Sequence, residues 1–326
     1  MKRLIVGIDI GGTGTKLGLV DSLGEVIIEE KISTTGEHTF AEFITTLSKI
    51  VKQWLLAYPD YEIAGVGVGA PGGNFYTGCI TDASNLPWKG SLPLVELLTA
   101  ELNVPVVLSN DANAATMGEM IFGAAKGMKD FVMITLGTGL GSGIVTGGRL
   151  LIGAESLAAE LGHVLIKGKG GGRACKCGRK GCLETYVSAT GIKRTYLHLL
   201  ASQGEQSRLS AVPFDQLEAK DIAQAALDGD EIAKKAFVTT GKILGRQLAN
   251  MVSIVNPEAV FLFGGLASAG DLIFEPTKKY MDANMLNIYK AEVKILPSQL
   301  EGANAAIVGA ASLVYQYEQD SKEVLA

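Results

Sequence analysis

Three cysteines and one histidine near the middle of the chain have the types and spacing of a metal site. They follow the pattern H-x11-C-x-C-x4-C, at His163, Cys175, Cys177 and Cys182. Three thiolates and an imidazole complete the tetrahedral set that Zn²⁺ takes in structural sites, and they leave no position for a reactive water molecule. We therefore predict a structural zinc ion here. Reduced cysteines in a polar loop are the alternative.

Two acidic residues flank this motif. Glu160 lies three residues before His163, and Glu184 lies two residues after Cys182. A metal ion that joins the two ends of the segment would fix both carboxylates in space. The motif therefore predicts a pair of positioned acids in addition to the metal.

A turn rich in glycine and threonine joins two apolar runs near the N-terminus. The runs cover residues 4–9 and 17–20, and the turn covers residues 11–16. Backbone N–H groups and threonine hydroxyls in such a turn can bind phosphate oxygens. Asp9 can hold Mg²⁺ and Lys16 can add a positive charge. An ordinary hairpin turn is the alternative.

A second turn of the same design follows the apolar run at residues 130–136. It covers residues 137–143 and leads into another apolar run at residues 144–146. One glycine-rich turn is weak support for a phosphate site, because such turns are common. Two of them, about 128 positions apart, predict a duplicated core with one phosphate-binding turn in each half.

Polar residues stand where several other predicted strands end. Asp111 lies between a strand at residues 104–108 and a helical run at residues 114–123, so it is either a helix cap or a positioned base. Residues 70–73 and Asn85 follow a strand in the same way, at the end where open α/β sheets bind ligands. Gly264 and Gly265 follow a strand near the C-terminus, and a plain turn is the alternative there.

Length and composition limit the class of protein. A chain of 326 residues predicts two domains, and 47% hydrophobic with 19% charged residues is a globular composition. The net charge of −5 gives no indication of nucleic-acid binding, and no apolar run reaches the ~18 residues of a membrane span. Met1 runs almost directly into the first strand, so we expect no signal peptide. Four cysteines, three of them in a metal pattern, fit a reducing cytoplasm.

The motifs together resemble known families. Asp9 with its turn, residues 136–139 and residues 263–265 resemble the phosphate-1, phosphate-2 and adenosine motifs of the ATPase superfamily of actin, hexokinase and heat-shock chaperones. Residues 110–113, residues 160–163 and the cysteine motif resemble the ROK family of bacterial sugar kinases and repressors. The resemblance runs along essentially the whole chain.

This resemblance implies an α/β fold with two ribonuclease-H-like domains of the actin-like ATPase type, an interdomain cleft and a zinc knuckle. It implies a smaller N-terminal domain of residues 1–112 plus 305–326, and a larger domain of residues 113–304. The implied activity is the ATP-dependent phosphorylation of a hexose, with glucose favoured, by an ATP:hexose 6-phosphotransferase that uses ATP, Mg²⁺ and structural Zn²⁺.

The resemblance also implies roles for single residues. Asp111 matches the general base. The sugar-binding positions are Gly73, Asn85, Asn110, Asp111, Glu160, His163 and Glu184. The nucleotide- and Mg²⁺-binding positions are Asp9, Gly12, Thr13, Lys16, Thr138, Gly139, Gly264 and Gly265. The metal ligands are His163, Cys175, Cys177 and Cys182, and the histidine would bind zinc with one ring nitrogen and the sugar with the other.

Several alternatives stay open. The substrate could be fructose, allose, N-acetylmannosamine or N-acetylglucosamine. The protein could instead be a non-catalytic, sugar-sensing ROK regulator, or an ATPase of the chaperone or actin type. We expect a cytoplasmic homo-oligomer, most simply a dimer, that binds neither nucleic acid nor a membrane. Because Thr13, Lys16 and Thr138 lie on other segments than the cysteines, we expect the zinc not to affect ATP binding.

Overall fold

The computed structural model describes residues 2–35, 39–81, 83, 85–168, 171–203, 207–289, 293–300 and 304–324. In these residues the chain forms two five-stranded sheets together with nine α-helices. None of the described helices is long and apolar enough to cross a membrane.

The first sheet has the strand order β3-β2-β1-β4-β5. Its strands are β1 Lys2–Ile10, β2 Gly14–Val20, β3 Val26–Ser33, β4 Tyr61–Gly69 and β5 Val106–Ser109. Strands β1 to β3 are antiparallel, whereas β4 pairs in parallel with β1 and β5 pairs in parallel with β4. The central strands β1 and β4 are almost continuously buried, as is typical of parallel-paired strands in a sheet that helices cover on both faces.

Four helices accompany this sheet: α1 Phe40–Ala57, α2 Leu94–Leu102, α3 Asp111–Ile121 and α9 Ala305–Val324. Helix α1 begins at a capping box, in which Thr39 accepts from the Glu42 N–H and the Glu42 side chain accepts from the Thr39 N–H. Its buried residues recur at helical spacing and join the apolar core of the sheet, as Phe43, Leu47 and Trp54 do.

Helix α9 lies directly on the first sheet. A Cβ atom at Gly7 would lie 2.0 Å from the Ile307 carbonyl oxygen, and one at Gly67 would lie 1.9 Å from the Ala310 carbonyl oxygen. Only glycine permits so close an approach of two backbones. This contact fixes strands β1 and β4, whose carboxyl ends carry Asp9 and Gly69.

The second sheet has the order β10-β9-β6-β7-β8. Its strands are β6 Phe131–Leu136, β7 Leu140–Thr146, β8 Arg149–Leu150, β9 Ala259–Phe263 and β10 Lys294–Pro297. The remaining helices are α4 Glu184–Val187, α5 Ala189–Gln203, α6 Ala219–Leu227, α7 Glu231–Val255 and α8 Asp271–Asp282. Taken in chain order, β6 to β10 occupy the same places in this sheet as β1 to β5 do in the first. The α/β fold with a duplicated core is therefore confirmed.

The chain divides into two compact units. One comprises Met1–Met128, Gly143–Ala159 and Ser298–Ala326, and the other comprises Lys129–Ser142 and Glu160–Pro297. These bounds differ from the predicted domains, because residues 113–128, 143–159 and 298–304 belong to the first unit. The reason is the packing of α3, where a Cβ atom at Gly118 would lie 2.9 Å from Gly309 Cα. Helix α3 is thereby attached to α9.

Candidate active site and metal centre

Two carboxylates of the first unit flank one glycine. Asp9 lies near the end of β1 and Asp111 is the first residue of α3. A Cβ atom at Gly69, the last residue of β4, would lie 4.0 Å from Asp9 Oδ1 and 3.8 Å from Asp111 Cα. The cap of α3 is Asn110, whose Oδ1 accepts from the Asn113 N–H at 2.7 Å. The alternative in which Asp111 serves as the helix cap is therefore wrong.

The environment of Asp9 disfavours its negative charge. Burial is the main cause and the neighbouring Asp111 carboxylate adds to it, so that the pKa of Asp9 is raised to about 6, although Lys16 acts in the opposite direction. Lys16 is the cross-strand partner of Asp9 in the β1–β2 pair. Two acids with one lysine form a site whose negative charge a divalent cation such as Mg²⁺ would balance through oxygen ligands.

This raised pKa predicts a pH-dependent effect of Asp9→Asn on stability. The folded protein holds the proton of Asp9 up to about pH 6, whereas the unfolded chain loses it near the ordinary 3.8. The free energy of unfolding therefore falls as pH rises between these two pKa values. Above pH 6 the full destabilisation by the buried charge of Asp9 is present. We expect the gain in unfolding free energy from Asp9→Asn to be about 2 kcal/mol larger at pH 7.5 than at pH 4.5. Urea denaturation of both proteins without added Mg²⁺ measures it, and a pH-independent difference would contradict the prediction.

Other predicted ligand residues of the first unit lie at the same edge of the sheet. A Cβ atom at Gly12 would lie 2.7 Å from the Asn85 carbonyl oxygen, so the first glycine turn rests on Asn85. A Cβ atom at Gly73 would lie 2.5 Å from the Ser109 carbonyl oxygen, next to Asn110. The Thr13 carbonyl oxygen accepts from the Thr34 N–H at 3.4 Å, which ties the turn to the residue after β3.

The four predicted metal ligands form one cluster in the second unit. Their ligand atoms all lie within 4.8 Å of one another. The Cys177 and Cys182 Sγ atoms are 3.6 Å apart, and Cys175 Sγ is 3.8 Å from His163 Nδ1. Bond lengths of about 2.3 Å in a tetrahedral site place two sulfurs roughly 3.8 Å apart. The cluster therefore fits zinc in both ligand type and spacing.

The loop that carries the cysteines is a small hairpin that depends on glycine. The Cys175 N–H donates to the Arg179 carbonyl oxygen at 2.9 Å, across a turn in which Gly178 has a φ of 86°. Gly181 has a φ of 88°, and a Cβ atom there would lie 2.1 Å from the Lys167 carbonyl oxygen. These two positions require glycine, so the spacing between the cysteines follows from the shape of the turn.

The cysteines differ in how readily they form thiolates. Hydrogen bonds from Arg179 lower the pKa of Cys177 to about 6. Burial, followed by a hydrogen bond to Glu184, raises the pKa of Cys175. The Cys175 thiol donates to Glu184 Oε1 at 2.9 Å. Because a metal binds the thiolate, occupation of the site would remove this proton and leave Glu184 Oε1 open to another donor.

The segment that carries the cysteines touches the second glycine turn. Glu184 Oε2 accepts from the Leu140 N–H at 3.4 Å, and a Cβ atom at Gly139 would lie 2.7 Å from the same oxygen. The Thr190 hydroxyl donates to the Thr138 carbonyl oxygen at 2.9 Å. Residues distant in sequence are therefore in direct contact here, so the argument from separate segments does not hold for Thr138. The effect of zinc on ATP binding stays a prediction.

The third glycine motif adjoins the same turn. Gly264 has a φ of 97°, and the Leu266 N–H donates to the Leu136 carbonyl oxygen at 3.1 Å, where β6 ends. In the part of the chain that the structure describes, a Cβ atom at Gly265 would meet no heavy atom within 4 Å. The backbone at Gly265 is thus accessible to a flat ligand group.

A comparison of the sequence with models of known protein families shows to which family the chain belongs. The model described as "ROK family" matches residues 5–317. The chain belongs to the ROK family.

Relatives within the ROK family include both enzymes and regulators. The chain is 35% identical to a glucokinase of Halalkalibacterium halodurans, over 98% of both chains. It is 30% identical to a xylose repressor of Caldicellulosiruptor bescii, over 95% of this chain and 77% of the repressor. Its structure resembles that of a ROK family glucokinase from Streptomyces griseus in complex with glucose and AMPPNP, with a TM-score of 0.76, 32% identity and coverage of 96% and 99%.

Sequence reasoning overlooked several polar residues near the second glycine turn of this ROK protein. A pocket beside the turn is lined by Thr138, Gly139, Lys176, Ser188, Thr190 and Arg194, among others. Thr190 and Arg194 are four residues apart in α5, so they lie on one face of that helix. That spacing predicts a polar face on this helix, but it does not predict which turn the face contacts.

Proposed function

We propose that the protein transfers a phosphoryl group from ATP to the 6-hydroxyl of glucose. The observation that carries the proposal is the position of Asp111, at the start of α3 and beside Gly69 and Asp9, in a chain that matches a glucokinase along its whole length. Phosphoryl transfer depends mainly on positioning and charge stabilisation, so it needs few side chains that react covalently.

Each predicted site residue has a chemical role in this proposal. The Asp111 carboxylate accepts the proton of the sugar hydroxyl. The backbone N–H groups of the turns at Gly12–Thr13 and Thr138–Gly139 bind phosphate oxygens, with Lys16 as a positive charge. Gly264 and Gly265 contact the nucleoside. Asp9 holds Mg²⁺, which supplies neutralisation of phosphate charge when it is bound.

The sugar itself is neutral, so it must be held by directional hydrogen bonds. The chain offers backbone at Gly73 and side chains at Asn85, Asn110, Glu160, His163 and Glu184 for this purpose. The Nδ1 edge of His163 faces the cysteine cluster. Its Nε2 is therefore the nitrogen that we assign to a sugar hydroxyl. The zinc held by His163 and the three cysteines supplies rigidity rather than a reactive water molecule.

A coupled assay of ADP release tests the proposal. The purified protein is supplied with MgATP and one of glucose, fructose, allose, N-acetylmannosamine or N-acetylglucosamine, or with no sugar. We expect the highest kcat/KM with glucose. A higher kcat/KM with another hexose would change the proposed substrate but would still support a kinase. Equal release of ADP without sugar would indicate an ATPase of the chaperone or actin type.

The second candidate is a sugar-sensing regulator without kinase activity. The xylose repressor relative favours it, since that protein matches 95% of this chain. The same panel separates the two functions when sugar binding is also measured by titration calorimetry. Binding of a hexose with no release of ADP would indicate the regulator, but the presence of both Asp111 and Asp9 leads us to expect turnover.

We also expect the protein to form a homodimer in solution. The reasons are the family resemblance, the high hydrophobic content and the prevalence of symmetric dimers among oligomers. Light scattering at micromolar concentration should give a mass near twice the 34.2 kDa of one chain. A mass of one chain at that concentration would contradict the expectation.

A further inference from the structure

A polar pocket in the second unit lies where the cysteine segment meets the second glycine turn. Its volume is about 90 Å³. A single water molecule needs only ~10–15 Å³ on this measure, so the pocket admits a larger group. Thr138 and Gly139 come from the turn, Lys176 from the cysteine hairpin and Arg194 from α5. The pocket therefore joins three segments that are distant in sequence.

Two of the lining side chains are cations. The Arg194 Nη1 donates to the Ala174 carbonyl oxygen at 3.0 Å, which holds the guanidinium next to the cysteine hairpin. Lys176 is exposed, and its ammonium has no partner among the residues that the structure describes. A third cation, Arg173, donates to the carbonyl oxygen of Thr185, which also lines the pocket, at 2.9 Å. Positive charge is thus in local excess around the pocket.

Hydroxyl groups complete this lining. Ser188 is only 2% exposed, and its Oγ accepts from the Gly191 N–H at 3.0 Å. Within the described residues its own hydrogen has no acceptor, so it can donate to a ligand. The Thr138 hydroxyl is exposed, and it makes no hydrogen bond within the described chain. Two cations and two hydroxyl donors around one small space suit a tetrahedral oxyanion.

One acid also lines the pocket, and it limits what can bind. Glu184 Oε2 accepts from the Leu140 N–H, and Oε1 accepts from the Cys175 thiol, whose proton would be lost on metal binding. The carboxylate can then accept from a ligand hydroxyl, but it repels a ligand anion. An anion beside Glu184 must therefore lie toward Lys176 and Arg194. The carboxylate end suits a hydroxyl group and the cationic end suits a phosphoryl group, which are the two functional groups that a hexose 6-phosphate combines.

We propose that Lys176 and Arg194 bind a phosphoryl group in this pocket. The inference rests on the proposed function and deepens it, because it assigns phosphate binding to two side chains outside the glycine turns. The phosphoryl group has two possible sources, the terminal phosphate of the nucleotide and the 6-phosphate of the sugar product. In both cases the cysteine hairpin contributes a charge to phosphate binding as well as rigidity.

The test replaces Lys176 and measures binding directly. Titration calorimetry at fixed ionic strength follows Mg²⁺–AMPPNP and glucose 6-phosphate with wild type, Lys176→Gln and Lys176→Arg. We expect Lys176→Gln to weaken at least one of these ligands roughly tenfold, the usual loss for one charge-assisted contact, and Lys176→Arg to restore most of it. Lys180→Gln is the matched control, because Lys180 is an exposed lysine of the same hairpin that does not line the pocket.

Each outcome decides the inference. Weakening of Mg²⁺–AMPPNP alone supports the nucleotide as source, weakening of glucose 6-phosphate alone supports the product, and weakening of both supports both. Equal affinities in Lys176→Gln and Lys180→Gln, with zinc content unchanged in each, would overturn it. Wild-type turnover is measured on the same preparations. A wild type that phosphorylates no hexose would refute the proposed function, while the binding data would still decide the role of Lys176.

Discussion

Replacing Asp111 with asparagine should leave hexose binding largely intact and lower kcat by a factor on the order of 10² to 10⁴. Asparagine keeps the size of the side chain, and its oxygen can still accept from the Ala112 N–H, as Asp111 Oδ1 does at 3.0 Å. What the variant loses is the ability to accept the hydroxyl proton as the new P–O bond forms. Turnover by the coupled assay and hexose affinity by titration calorimetry measure the two effects separately.

The control for this variant is Asp221→Asn. Asp221 also lies in the first turn of a helix, α6, and its carboxylate accepts from the Glu218 N–H, which an asparagine oxygen can replace. We expect no change in kcat or hexose affinity there. Near-normal turnover of Asp111→Asn would contradict a catalytic role for Asp111. If hexose affinity falls by as much as kcat, the main role of Asp111 would instead be to bind the sugar.

Much of the fold could be predicted from local patterns in the chain. Apolar residues recur at helical spacing along residues 231–255, so the sequence alone predicts the helix that the structure shows as α7. The two strand–turn–strand units are also present, since each combines a buried apolar run with glycines that permit a turn. Where the compact units end depends on contacts between distant residues, such as Gly118 with Gly309, which no local pattern records.

The candidate site also combines features that the local sequence predicts with features that only the structure shows. The metal cluster could be predicted because ligand type and spacing lie within one segment, and the structure brings its four ligands together. The contact of Glu184 with Gly139 and Leu140 could not, because it joins residues about 44 positions apart through the folding of a loop. That Asn110 rather than Asp111 caps α3 also required the structure, because both residue types are suitable caps. The roles of the sugar and nucleotide residues stay predictions.

Removing one zinc ligand should affect both substrates. In Cys177→Ser we expect loss of zinc, weaker hexose binding and a fall in kcat/KM for hexose of about 10²-fold, the effect of a displacement near ~1 Å where positioning drives catalysis. The reason is that the metal joins the segment with Glu160 and His163 to the segment with Glu184. Metal content by mass spectrometry, hexose affinity and kcat/KM are measured on one preparation.

The structure adds a loss of nucleotide affinity to this prediction. Glu184 Oε2 accepts from the Leu140 N–H, and Thr190 donates to the Thr138 carbonyl oxygen, so movement of the cysteine segment should disturb the second glycine turn. Cys79→Ser is the control, because Cys79 is a free cysteine outside the cluster and in the other unit. If Cys177→Ser loses zinc but keeps its hexose affinity, the metal does not organise His163 and the two glutamates. If only the nucleotide affinity is unchanged, the contacts of Glu184 and Thr190 with the turn persist without zinc, and the metal acts on the sugar residues alone.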